Sequence, residues 1–327
     1  MHSFSAPSAR ALWPIAAALT STALLVACST TTSSSTEAPA ASGRTVETVL
    51  GPVTVPEKID SVVVIEGRRD LDIALALDLP VVGFPLEGEG SLDLESPLAE
   101  ARAAAVAEHG AEGLFLADEI NIEAIAEAAP SVIISRSDDV EEIFDQLSAI
   151  APVVAIGDQD TSTWQDDLRL VAEATGTTAR AEELVTAYDD RVADVASTYA
   201  DVIAEHPVVP LGSDSSGSQV RPNRLLSTVL QDVGALPSEV FAEAIKTGDG
   251  IEHSPERLVE AYDDADGIIA LVNGADEWSA TQASPLWSRL PAVAAGHVVR
   301  SDKSTHEGGP LTAMHSLDVV EELYAGF

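Results

Sequence analysis

The stretch 178–206, TARAEELVTAYDDRVADVASTYADVIAEH, constrains the fold more than any other part of the chain. Ala181, Leu184, Val185, Tyr188, Val192, Val195 and Tyr199 recur at helical spacing, acidic residues fill the other faces, and no Gly or Pro interrupts them. One helix over this stretch would be about 40 Å long at about 1.5 Å per residue, more than a single small domain needs. Short β-branched runs alternate with amphipathic segments on both sides of it. The pattern predicts a rigid connector between two α/β lobes, with a cleft between them.

The N-terminal end reads differently. Residues 1–27 carry one charge, Arg10, and an apolar run over 11–25, which together predict an export signal peptide. The run ends in Leu25-Val26-Ala27-Cys28, and Cys28 is the only cysteine of the chain. A lone thiol cannot form an internal disulfide, and small residues before it are the pattern of a bacterial lipoprotein signal. Cys28 is therefore expected to be lipidated and to anchor the protein to the bacterial cell membrane, outside the cytoplasm. The Ser, Thr, Ala and Pro of 28–43 cannot build a core and predict a flexible tether. With 17 Lys and Arg against 54 Asp and Glu, the net charge of −37 disfavours nucleic acid and anionic surfaces as partners.

Strands are expected at 61–65, 81–84, 113–116, 131–135 and 152–156, then at 207–212, 267–272 and 297–300. Pro210 argues for an edge position or a shortened strand. Gly110 and Gly176 should end helices, Asn121 should cap one, and 213–223 and 273–282 read as loops. Continuous apolar strands alternating with helices imply mainly parallel sheets covered on both faces. The chain thus divides into an N-terminal lobe at 44–177, an interlobe helix at 178–206 and a C-terminal lobe at 207–327. The fold class is α/β, two Rossmann-like lobes joined by a single long helix with the ligand cleft between them.

In such sheets ligands bind beyond the carboxyl ends of the strands. Those loops hold Glu66, Arg68, Arg69, Phe84 and Arg136 in the first lobe, and Arg221, Trp278, Lys303 and His306 in the second. Arginine is scarce in this chain, and its planar donors suit an anionic or oxygen-rich ligand. The sequence has no phosphate loop, dinucleotide fingerprint, G-x-S-x-G or pair of His at metal-ligand spacing, so neither an enzyme nor a metal site nor a cofactor is expected. The segments NIEAIAEAAPSVIIS and SPERLVEAYDDADGIIAL repeat one design, a cap followed by an acid in the first turn and then an apolar strand, once in each half.

The ordered set SVVVIEGRRDLDIALALDLPVVGF, NIEAIAEAAPSVIIS, LSAIAPVV and PLWSRLPAVAAGHVVRSD, followed by GGPLTAMHSLDVVEEL, resembles the lipoproteins that deliver iron-siderophore, haem or vitamin B12 complexes to ABC importers. The resemblance covers about 54–323 and includes the single interlobe helix. It implies capture of a ferric siderophore in the cleft and delivery to an ABC permease and ATPase complex by a monomeric protein. It also implies permease docking through one surface glutamate per lobe, Glu123 and Glu256. A B12-like corrinoid or haem is the second ligand class, and a lipid-anchored interaction module is the reading outside transport. The arginine usual in the ferric-hydroxamate branch falls near Ala117, which leaves the siderophore class open.

Overall fold

Val62–Val64, Val81–Leu86, Glu112–Leu116, Val132–Arg136 and Val153–Ile156 form strands β3 to β7 of one sheet. All its pairings are parallel, in the order β5-β4-β3-β6-β7. Every residue of β3 and β7 is buried, because helices cover both faces and leave no polar side for an alternating pattern. The computed structural model describes residues 43–88, 94–158, 160–214 and 216–327. The signal peptide and Cys28 lie outside the described residues, as does the tether up to residue 42. Gly43, expected to end the tether, instead opens a hairpin of β1 (Gly43–Thr48) and β2 (Gly51–Pro56).

The second sheet has the order β10-β9-β8-β11-β12, from Ile251–His253, Gly217–Val220, Val208–Asp214, Gly267–Leu271 and Val298–Ser301. The pairs β8/β11 and β11/β12 are parallel, whereas β9 runs antiparallel to both β8 and β10. Three expectations change here. The loop expected over 213–223 contains β9. Pro210 lies in the central strand, not at an edge. Val208 exchanges backbone bonds with Leu236 and Ser238 on the side away from β11. Two residues on, Pro210 turns its missing N–H to that same side, and β9 pairs only from Gly212 onward, so no ladder bond is lost. The segment around Trp278 is a helix, Ala275–Ala283, launched from Gly274 at φ 68°.

Thr178–Thr198 is the interlobe helix, burying Ala181, Val185, Tyr188 and Val195. Its expected extension to residue 206 is interrupted at Tyr199, whose backbone leaves helical values (φ −108°, ψ 20°) before a second helix, Ala200–Glu205. At the break the Tyr199 ring stacks on Tyr324 and its hydroxyl donates to Glu321, so contacts with the C-terminal helix Pro310–Ala325 coincide with the interruption. Tyr188 donates to Asp232 at 2.6 Å and sits edge-on to Trp164. Gly110 and Gly176 end their helices in the left-handed conformation, and Asn121 accepts from the Ala124 N–H, all as expected.

The C-terminal helix belongs to both halves of the fold. The carboxylate of Asp72, fully buried in helix Arg69–Ala76, accepts the N–H groups of Leu311 and Thr312 and the Thr312 hydroxyl. A side chain of the first lobe thus caps a helix that follows the second sheet. Burial holds the Asp72 pKa above the ordinary carboxylate value despite these bonds.

Candidate functional site

The carboxyl ends of the two sheets meet across the molecule. Arg136, the last residue of β6, donates to Glu307 at 2.7 Å. Lys303, just after β12, donates to Glu87, just after β4, at 2.6 Å. The Asn223 amide reaches Asp160, beyond β7, at 3.0 Å.

The first-lobe wall is organised by a loop around a buried carboxylate. Asp70 accepts the N–H groups of Ile65, Glu66, Gly67 and Leu71 at 2.7 to 2.9 Å, which winds the chain after β3 into a tight cradle. Gly67 turns there at φ 86° with the Pro85 ring against it, so a side chain would be both strained and blocked. Glu66 accepts the N–H groups of Arg68 and Arg69 at 2.9 Å and pairs with the Arg68 guanidinium at 3.0 Å. Burial, and then the Asp70 charge, push the Glu66 pKa up to about 8 against the opposing pull of Arg68. Arg68 also lies 3.8 Å from Glu87 and 4.0 Å from Glu307. Arg136 is held by Asp138 and Asp139 as well as Glu307.

The second-lobe wall is built differently. Arg221 spans Gln219 and Glu252 on the neighbouring strands, at 2.8 and 3.0 Å, and remains largely exposed. Arg224, at the start of helix Leu225–Asp232, has no carboxylate partner among the described residues; its guanidinium donates to His306 Nδ1. Burial and then the charges of Arg221 and Arg68 lower the Arg224 pKa to about 10. Burial and then Arg224, Arg68 and Lys303 hold the His306 pKa down at about 3, so the ring is neutral. Since arginine can only donate, Nδ1 accepts and the His306 proton is on Nε2. Arg224 Nε and His306 Nε2 are both buried donors without a hydrogen-bond partner. They border a recess of about 60 Å³ also lined by Arg221, Asn273 and the carboxylates of Asp214 and Glu277. A wider cavity of about 440 Å³ adjoins it, lined by Arg221, Arg224, Gly248 and Asp160. This arrangement offers an anion the free donors of Arg224 and His306, with the carboxylates of Asp160, Asp214, Asp249 and Glu277 elsewhere on the walls of the two spaces.

The structure therefore brings Glu66, Arg68, Arg136, Arg221, Lys303 and His306 of the expected residues to one cleft and removes three others. Arg69 is buried, pairs with Asp167 at 2.7 Å and reaches Ser162 in its own lobe, and it borders a separate cavity of about 260 Å³ with Asn223 and Leu225 of the second lobe. Phe84 is only 5% exposed and packs in the core, with Arg102 over its ring. Trp278 packs edge-on against Trp287, with ring centroids 5.9 Å apart, and Arg300 covers it. Arg224, Glu87 and Glu307 are additions. Arg224 was within reach of the sequence, since it stands three residues after Arg221 in RPNR, but its burial is a tertiary fact. Glu123 and Glu256 are both exposed in first turns, Glu123 on helix Ile122–Glu127 and Glu256 on the single turn Pro255–Arg257. Among the described residues no group of His, Cys, Asp and Glu is arranged to hold a metal ion. Among them, too, no helix is long and apolar enough to cross a membrane.

The profile of one family, described as periplasmic binding protein, matches residues 113–305. The chain belongs to the periplasmic binding protein family. This periplasmic binding protein is 28% identical over 229 residues to a probable siderophore-binding lipoprotein of Bacillus subtilis, YfiY, covering 66% of this chain and 69% of the relative. It is 26% identical over 218 residues to the ferric enterobactin-binding periplasmic protein FepB of Escherichia coli, covering 63% and 67%. Among solved structures it resembles the siderophore periplasmic binding protein from the fuscachelin gene cluster of Thermobifida fusca, at 26% identity and TM-score 0.67, covering 84% and 99%. It shares the fold of Staphylococcus aureus SirA complexed with staphyloferrin B, at 20% identity and TM-score 0.68, covering 86% and 97%.

Proposed function

We propose that this periplasmic binding protein is the extracytoplasmic substrate-binding component of an ABC importer and captures a ferric siderophore with anionic donor groups between its lobes. The observation that carries the reading is Arg224. In a chain of net charge −37, a half-buried guanidinium beside Arg221 and Arg68 makes no ion pair among the described residues, with Glu307 acting on it only from beyond bonding distance, and a neutral His306 offers a second free donor beside it. A buried cation held among like charges is costly unless an anion completes the site. Arg68 and Arg136 lie on the opposite side, already paired to Glu66 and Glu307, and Lys303 of the second lobe is paired across the cleft to Glu87. The siderophore-binding names of the relatives and of the Thermobifida fusca structure support the ligand class.

In this reading Cys28 is the lipidated anchor, and Glu123 and Glu256 meet the permease. The test is a titration of the purified mature protein with ferric catecholate, carboxylate and hydroxamate chelates, their iron-free forms, haem and cobalamin. Tryptophan fluorescence and calorimetry are the readouts. Saturable binding of an anionic ferric chelate, weakened in Arg224→Ala, is the expected result. Tight binding of haem or cobalamin alone would replace the ligand class, and no binding across the panel would sink the proposal.

A further inference from the structure

A second cavity of about 370 Å³ lies entirely in the second lobe and differs in character from the cationic cleft. Its apolar lining comes from Pro255, Leu258, Ala280, Leu286 and Trp287. It adjoins the small recess at Arg224, since Ser213, Asp214 and Glu277 border both. The roof is helix Ala275–Ala283, which buries none of its residues although it lies over the end of the sheet. A helix of a packed domain normally buries an apolar stripe. This one is pinned through the Trp278–Trp287 contact and spans a space that the protein does not fill.

The neck carries a sign. Asp214 accepts the N–H groups of Ser216 and Gly217 and the Ser216 hydroxyl, bonds that hold its carboxyl below the ordinary value and keep it ionised. Glu277 has no ion-pair partner among the described residues. An arm leaving the Arg221 and Arg224 recess passes these two carboxylates before it reaches apolar walls.

Building on the chelate site above, we propose that this cavity is a specificity pocket for a side arm of the ligand. The arm has a hydrocarbon body of roughly a dozen water-sized groups, at about 30 Å³ each, and its root is amine-bearing and positively charged rather than anionic. The ligand is then two-signed, with an anionic chelate at Arg224 and a cationic, partly apolar arm beyond Asp214. Like charge at the neck excludes acyl arms that end in carboxylate, and the apolar walls favour a hydrocarbon stem over a hydrated one.

Octylammonium and octanoate, two probes of equal length and opposite charge, test the pocket on the full mature protein without any chelate. Calorimetry and the fluorescence of Trp287 are the readouts. Octylammonium should bind at least about tenfold more tightly than octanoate, as expected for like-charge exclusion. Glu277→Gln should narrow that gap. Ala280→Trp should abolish octylammonium binding; Ala280 is exposed on its helix, and an unchanged thermal unfolding midpoint checks that the variant folds. Equal binding of the two probes, no binding of octylammonium, or undiminished binding in folded Ala280→Trp would each overturn the pocket. If chelates bind and octylammonium does not, the pocket fails and the cleft reading stands. If octylammonium binds and no chelate does, the cleft reading fails alone.

Discussion

The two walls of the cleft face each other with the same residue type in opposite electrostatic states. Arg136 of the first lobe is saturated by Glu307, Asp138 and Asp139, and Arg68 bonds Glu66, protonated below about pH 8, with the carboxylates of Glu87 and Glu307 at 3.8 and 4.0 Å. Arg224 of the second lobe has only a neutral imidazole, and Arg221 is tied to one exposed glutamate. An arginine that already has its carboxylates gains little from a ligand anion, whereas one without them gains a first counter-charge. The comparison teaches that the ligand's charge is read mainly by the second lobe, while the first supplies a pre-formed, balanced surface.

The largest expected effect would break this asymmetry directly. Arg221→Ala with Arg224→Ala should weaken binding of an anionic ferric chelate by about 3 to 6 kcal/mol, at about 1.5 to 3 kcal/mol for each charge-assisted bond. Arg68→Ala with Arg136→Ala should cost less than that pair in the same titration. Equal losses from the two walls would end the comparison.

Next in size is the link that holds the walls in register. Asp72→Ala removes the acceptor of two backbone N–H groups and one hydroxyl, and leaves the start of the C-terminal helix buried without its cap. Urea unfolding should show a loss of about 2 to 3 kcal/mol, the cost of stranding buried donors. A loss below about 0.5 kcal/mol, the level of an ordinary surface change, would mean that the lobes are joined elsewhere.

A pH series sharpens the first-lobe side. Glu66 has its folded pKa raised from 4.5 to about 8, so the stability it contributes is complete below pH 4.5 and is lost as the pH rises towards 8. Above about 8 its ionisation also adds a negative charge to the cleft, and affinity for an anionic chelate should fall. Both slopes should flatten in Glu66→Gln, read by denaturant midpoints and by chelate titrations between pH 5 and 9. Identical profiles for the two proteins would place the titration on another group.

The smallest effect on binding is expected from the outer surface. Glu123→Ala with Glu256→Ala should leave chelate affinity unchanged while lowering uptake by cells that depend on this protein. A drop in affinity instead would show that these glutamates act on the cleft and not on a permease.

Much of the scaffold was legible because it depends on local chemistry. The apolar runs around β3, β6, β7 and β11 are continuous, Gly110 and Gly176 allow left-handed turns, and Asn121 supplies a capping oxygen. Strands β9 and β10 were not legible. Gly217–Val220 and Ile251–His253 are short, weakly apolar segments that become strands only by pairing with each other and with β8. Neighbours in sequence also parted company in the site. Arg68 and Arg69 are adjacent, yet Arg68 reaches Glu307 across the cleft and Arg69 turns to Asp167 inside its own lobe.

The sequence by itself determined the alternation of strands and helices, the long connector and the scarcity of positive charge, since periodicity, turn residues and composition act over a few neighbours. Only the tertiary structure decided which positive charges lack a counter-charge. It also interrupted the connector at Tyr199 and opened the apolar space beneath Ala275–Ala283. These depend on groups from distant parts of the chain, such as Arg136 and Glu307 or Asp72 and Thr312, whose partners are set by packing and burial rather than by spacing along the sequence.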